Sequence, residues 1–226
     1  MPKAKLLDKD FEWSTELAYA VGLLVTDGNL SRDGQHVTMR SVDLQLIKTF
    51  KTCLDLKNKI GSQVSQHKNG KLSYRLQFGG AQFYRWLMKI GLFPAKTYTI
   101  EKILIPDQYF VDFLRGHLDG DGSITVYQDR YNTFKNPTYI YTRLWVRFIS
   151  ASPKHIDWLH GSIKRLCGVH GHRAQSKIYD DKHVSISILK FGKKESIRLL
   201  QWIYYKKDLP CLLRKREIAD KFLLRA

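Results

Sequence analysis

The sequence predicts an α+β protein made of two like halves. Each half reads α-β-β-α-β-β-α, and a pseudo-twofold axis relates them. Three observations predict this. Two apolar, small-residue segments, ELAYAVGLLVT and FVDFLRGHLDG, each run into an Asp-Gly pair, Asp27-Gly28 and Asp121-Gly122, and the aspartates are 121 − 27 = 94 residues apart. The same order of strand-like and helix-like patterns follows each pair, and such self-similarity at fixed spacing marks a repeat. A 43% hydrophobic content supplies enough apolar side chains for a packed core in each half.

In the first half, Glu16–Thr26 is the opening helix. Asn29–Arg40 is a hairpin turning at Ser31-Arg32-Asp33-Gly34. Val42–Leu54 places Leu46, Ile47, Phe50 and Leu54 at helical spacing. Gly61–Lys68 and Leu72–Phe78 flank Asn69-Gly70, a strong two-residue hairpin signal. Ala81–Ile90 closes the half as a helix.

The second half repeats the order. Ser123–Gln128 and Tyr139–Ile149 form a hairpin with a longer connection, Asp129–Pro137. Pro153–Cys167 is a helix with proline in its first turn. Arg173–Tyr179 and His183–Phe191 flank Asp180-Asp181-Lys182, and Glu195–Tyr204 is the closing helix. Leu212–Leu224 adds a helix without a counterpart in the first half. The domain reading is therefore 1–91, a linker at 92–106 that contains two prolines, and 107–226.

The chain carries 38 Lys+Arg against 21 Asp+Glu, a formal charge of +17. A globular protein this basic points to a polyanion, with nucleic acid first because phosphates supply both affinity and steering. The apolar content excludes a disordered basic tail. No apolar run approaches the roughly 18 residues that span a bilayer, and no single amphipathic helix gathers the bases for a membrane surface. The expectation is no membrane association and no signal peptide. Cys53, Cys167 and Cys211 lack metal-ligand spacing, and their odd number argues against a disulfide framework. An intracellular, reducing compartment is expected.

Ala18, Gly22, Gly116 and Gly120 would let the two opening helices approach closely, a use of glycine that offsets its cost of about 1 kcal/mol in a helix. Helices packed side by side about the axis would bring their C-terminal ends together, and with them Asp27 and Asp121. The C-terminal end of a helix is negative, so carboxylates there call for a cation. Hard oxygen donors suit Mg²⁺.

Ala20–Gly28 (AVGLLVTDG) and Leu114–Gly122 (LRGHLDGDG) resemble two copies of the LAGLIDADG motif. The second copy fits better, since Val25 stands where the motif has its first acidic residue. The resemblance covers nearly the whole chain and is to single-chain, two-motif homing endonucleases of mobile introns. It implies a site-specific double-strand DNA endonuclease, acting as a monomer without an obligate protein partner. Each strand of a long asymmetric target would be hydrolysed once, leaving short 3′ overhangs. It implies Mg²⁺, or Mn²⁺ or Ca²⁺ in the same places, held by Asp27 and Asp121 with the carbonyls of Thr26 and Gly120.

The resemblance also implies a basic catalytic residue near the end of each half's last strand. Aligning the repeats pairs Gln77 with Lys190, and Lys194 lies close behind. With a glutamine in one half and a lysine in the other, the two sites are expected to be unequal. Strand alternation places Lys190 on the same side as Val184, Ile186 and Ile188, a core-like set, so a bulge near Leu189 is expected. His117 is either a packed polar residue or an active-site helper.

Both sheets are then expected to bind DNA in the roughly 12 Å wide major groove. Alternation points Arg32, His36, Thr38, Arg40, Ser73, Arg75 and Gln77 outward in the first half. In the second it points Tyr139, Tyr141, Arg143, Trp145 and Arg147 outward, with Arg173, Gln175 and Lys177, and Arg130 sits in the long hairpin tip. The alternative is a protein with this fold that binds DNA or RNA without cutting, as an intron maturase or transcription regulator. Retention of both aspartates favours the enzyme. No self-splicing domain surrounds the repeat, which disfavours an intein-borne nuclease.

Overall fold

The structure is a computed structural model, described for residues 11–64, 70–176 and 185–223. The order is α1 (Thr15–Asp27), β1 (Gly28–Leu30), β2 (His36–Ser41), α2 (Leu44–Cys53), β3 (Gly61–Val64), β4 (Leu72–Gly79) and α3 (Ala81–Lys89). A 3-10 turn at Lys96–Tyr98 follows, then α4 (Asp107–Asp119), β5 (Ser123–Asp129), β6 (Tyr141–Ser150), α5 (Pro153–Cys167), β7 (His172–Gln175), β8 (Ser187–Phe191), α6 (Lys193–Ile203) and α7 (Leu213–Leu223). Asn69, Lys177 and the turn Asp180-Asp181-Lys182 lie outside the described residues.

Each half contributes one four-stranded antiparallel sheet, in orders β1-β2-β4-β3 and β5-β6-β8-β7. The repeat extends to single residues. Val37 pairs with Phe78 and Thr38 with Gln77, as Val146 pairs with Phe191 and Arg147 with Lys190. Lys190 thus occupies the place of Gln77.

The helices α1 and α4 form the spine. Ser14 caps α1, its hydroxyl accepting from the Leu17 N–H at 3.1 Å. Gly22 and Gly116 face each other across the contact. A Cβ on Gly22 would lie 2.2 Å from the Phe113 carbonyl oxygen, and one on Gly116 would lie 2.1 Å from that of Tyr19. The backbones touch because neither position has a side chain. Around this spine, Val37, Met39, Leu76 and Phe78 pack on Ile47, Phe50 and Phe83, while Leu144, Val146, Phe148, Leu189 and Phe191 pack on Ile156, Leu159 and Leu199, all in one buried cluster.

Alternation assigns the faces of β2, β4 and β6 as expected, but β8 corrects the sequence reading. Ser187, Leu189 and Phe191 are buried, and Ile188 and Lys190 lie on the outward face with the exposed Ile186. The pairing with β6 runs from Ser150↔Ser187 to Val146↔Phe191 without a skipped residue. No bulge is needed, because Ile186 and Ile188 are the outward-facing pair and Ile188 meets Ile149 there. Tyr139 precedes β6 rather than belonging to it.

Candidate active site

The spine delivers its two C-terminal ends to one place. Asp27 is the last residue of α1, and Asp121 follows the Gly120 cap of α4. A Cβ on Gly120 would lie 1.9 Å from the Thr26 hydroxyl and 2.8 Å from Asp27 Oδ2. The four residues expected to form the centre, Thr26, Asp27, Gly120 and Asp121, are therefore juxtaposed. The halves are not identical here: the Thr26 side chain fills the space that glycine leaves at 120.

The carboxylates are held against their preference. Burial raises Asp27 to about 6, and the neighbouring Asp121 charge adds to this. Asp121 reaches solvent, yet partial desolvation raises it too. Asp119, the motif's other acid, turns away. It accepts from the Tyr19 hydroxyl at 2.9 Å and the Leu212 N–H at 2.7 Å, and burial raises it to about 6. Val25, its counterpart, is simply buried. Asp119 thus ties α4 to Tyr19 and the α7 segment, a contact that the first copy lacks.

Two cations missed at the level of sequence act on the pair. Lys96, buried in the 3-10 turn, donates from Nζ to the Gly28 carbonyl. Lys215, 4% exposed in the first turn of α7, lies 2.6, 2.9, 3.3 and 2.7 Å from the carbonyl oxygens of Leu118, Asp119, Gly120 and Gly122. Gly28 and Gly122 are repeat equivalents, so each half brings back a lysine to the same point of its motif. Both lysines lower the pKa of Asp27 and Asp121, and burial lowers both lysines to about 8. One hint was available in the sequence: each lysine lies in the chain that follows the closing helix of its half.

Lys190 Nζ sits 3.6 Å from the Trp145 ring centroid, and Lys194 is exposed in the first turn of α6. Gln77 accepts from the Arg75 guanidinium through Oε1.

Behind Asp121 lies a small cavity of about 70 Å³, lined in part by Thr26, Lys96, Ser150, His117 and His155. His117 and His155 stack with Nε2 atoms 3.1 Å apart. His155 Nδ1 lies 2.6 Å from the Glu101 carbonyl oxygen and donates to it. Its Nε2 must then accept from His117 Nε2, which leaves the buried Nδ1 of His117 without a partner. Burial lowers both, His155 to about 4 and His117 well below its ordinary value, so both rings are neutral. His117 is a packed polar residue.

Among the described residues, no three His, Cys, Asp or Glu side chains cluster as metal ligands. The donors present are two carboxylates and two carbonyls. That set fits a hard divalent cation that keeps most of its water. The carboxyls stay raised at the negative helix ends despite Lys96 and Lys215, and a bound cation would relieve them.

The outward faces carry the expected basic residues. Arg40 stands opposite Arg75, and Lys190 lies between Arg147 and His172. Arg32 is exposed, and Thr38 and Ser73 lie on the outward face of the first sheet. The register of β7 corrects the reading of that strand: Arg173 stands opposite the buried Leu189 and Gln175 opposite the buried Ser187, so both take the helix side, and His172 and Ala174 take the outward face. Two outward members are already paired, His36 with Asp33 at 2.5 Å and Arg143 with Asp129 at 2.8 Å, whereas Arg173 pairs on the helix side with Asp157 of α5 at 2.5 Å.

No protein-family model matches the chain, and no curated protein matches it. Solved structures do. The I-LtrWI LAGLIDADG homing endonuclease bound to target DNA matches with a TM-score of 0.59 at 12% identity, over 93% of this chain and 89% of that one. I-DmoI in complex with DNA and Ca matches with 0.56 at 14% identity, over 90% and 96%. Full-length DUF199/WhiA from Thermatoga maritima matches with 0.55 at 16% identity, covering 98% of this chain and 64% of that one. This chain therefore spans less than two thirds of the WhiA chain. At such identities the likeness is one of architecture, and that architecture is the LAGLIDADG fold.

Proposed function

We propose that this chain is a divalent-metal-dependent, site-specific double-strand DNA endonuclease of the homing type, working as a monomer. The observation that carries the reading is the juxtaposition of Asp27 and Asp121, both raised by desolvation, at the apposed ends of α1 and α4. A fold that only binds DNA has no need to hold two acids there.

Asp27, Asp121 and the carbonyls of Thr26 and Gly120 would hold Mg²⁺, with Mn²⁺ or Ca²⁺ able to take the same donors. Such a metal lowers the pKa of bound water and stabilises charge on the attacking and leaving oxygens. Lys96 and Lys215 oppose the rise that burial imposes on the aspartates and hold the backbone beside them. The outward arginines and lysines grip double-stranded DNA, with base edges read from the strands and phosphates neutralised by the bases. Each carboxylate belongs to one half, so each half would serve one strand. The environments of Gln77 and Lys190 differ, so the two cuts are expected at different rates.

The test is cleavage of a randomised duplex library with Mg²⁺, beside an Asp27→Asn/Asp121→Asn control. Selective cutting by the wild type alone is expected. Binding without cutting beyond the control would instead assign a non-cleaving DNA-binding protein.

A further inference from the structure

The two hairpin tips break the pseudo-twofold symmetry. The first, from Ser31 to Gln35, is a compact turn with Gly34 at φ +76 and no aromatic residue. The second, between β5 and β6, is long and aromatic. Of the sixteen large hydrophobic side chains exposed among the described residues, seven lie between Val126 and Tyr141. Tyr131 is 81% and Phe134 75% exposed, with ring centroids 6.3 Å apart in an edge-on arrangement.

These rings are displayed by an ordered backbone. Asp129 Oδ1 accepts from the Tyr131 N–H at 3.0 Å. The Arg130 carbonyl accepts from the Thr133 N–H at 3.1 Å, and the Asn132 carbonyl accepts from Lys135 at 3.0 Å. Asn136 Oδ1 accepts from the Thr138 N–H at 2.9 Å. Rings held this way lose little freedom on binding, which removes part of the usual cost of association.

The surroundings select the partner. Lys135 Nζ lies 5.5 Å from the Phe134 ring centroid, and Arg130 is exposed beside Tyr131. The one acid, Asp129, is engaged with Arg143. A protein-docking core is depleted of charge, whereas here cations flank the rings on either side. Aromatic faces interleaved with cations suit unstacked bases and their phosphates. The tip also continues the sheet whose outward face carries Arg143 and Arg147.

We propose that the tip of the β5–β6 hairpin is a base-stacking element: Tyr131 and Phe134 engage an unstacked or easily unstacked nucleotide at the outer end of one half-site, while Arg130 and Lys135 hold its phosphates. This rests on the DNA-binding part of the proposed function and not on cleavage. Apolar wedges of this kind unstack a base step at the cost of kinking the duplex. The tip would then give the target a polarity and favour flexible pyrimidine–purine steps near one end.

The test compares affinities, without divalent metal, for a random-sequence duplex and the same duplex carrying a small 2-aminopurine bulge. Wild-type protein is expected to bind the bulged duplex about tenfold more tightly and to quench its fluorescence, in keeping with the worth of one stacked base. Tyr131→Ala/Phe134→Ala should lose the preference yet bind the intact duplex as before, and Tyr131→Trp/Phe134→Trp should keep it. Equal wild-type affinity for the two duplexes overturns the proposal, as does a preference that survives the double alanine change. Tip-dependent binding to phosphatidylserine vesicles, without any bulge preference, overturns it in favour of a lipid surface. Failure to bind either duplex removes the DNA-binding reading itself.

Discussion

Asp27 is where burial and charge conflict most directly. Its ordinary value is 3.8, and the folded chain raises it to about 6. Below 3.8 the carboxyl is protonated in folded and unfolded chains alike, and its effect on stability is neutral. As pH rises through about 6, the folded chain ionises it less readily than the unfolded chain does, so stability is lost across that window. Asp27→Asn should therefore raise the melting temperature of the metal-free protein above pH 6 and leave it unchanged below 3.8. Mg²⁺ should raise it for the wild type above about 6 and not for Asp27→Asn/Asp121→Asn, a readout independent of cutting. Lys215 poses the opposite problem. Lys215→Met strips the donor from several buried carbonyls and should cost about 3 kcal/mol in urea unfolding. Lys96→Met, which frees the Gly28 carbonyl alone, should cost less. The aspartates were legible in the sequence because each sits in a local pattern of glycines and apolar residues. The lysines were not, because only the folded path of the chain after α3 and after α6 brings them to the helix ends.

At the scale of elements, the contact of α1 with α4 tolerates no added volume. Gly116→Ala would set a methyl 2.1 Å from the Tyr19 carbonyl oxygen and should destabilise the chain by about 3 kcal/mol, since backbone cannot yield as a side chain does. Gly161, midway in α5, has open space around its Cβ direction. Gly161→Ala should stabilise by up to about 1 kcal/mol through helix propensity. Paired chemical denaturation curves check both. The glycines at the crossing were readable because small residues recur on one side of each motif helix. The face of β8 was not. Ile186 and Ile188 are as apolar as a core set, and only the pairing with β6 shows that Leu189 and Phe191 take the inside. Periodicity fixes which residues share a side; it does not say which side is wet when both carry apolar groups.

Across the whole molecule, the charge of +17 is arranged around few acids, two of which sit at the centre. Affinity for duplex DNA should fall linearly with salt on logarithmic axes, as counterions released on binding are paid back. Arg75→Ala and Arg147→Ala should each reduce that slope by about one if the side chain meets a phosphate, measured by fluorescence anisotropy over a salt series. The α7 segment also ties the halves together. Gln45, near the start of α2, donates to the Cys211 carbonyl at 2.8 Å and accepts from the Leu213 N–H at 3.0 Å, and Arg214 pairs with Asp43 at 3.2 Å. During synthesis, Asp27 and Asp121 leave the ribosome well before this clasp and before Lys215. A nascent chain thus carries both acids while the second carbonyl cluster still lacks its ammonium and α2 still lacks its tether. The Lys215 ammonium and the tether on α2 are the last parts of the centre's surroundings to be made.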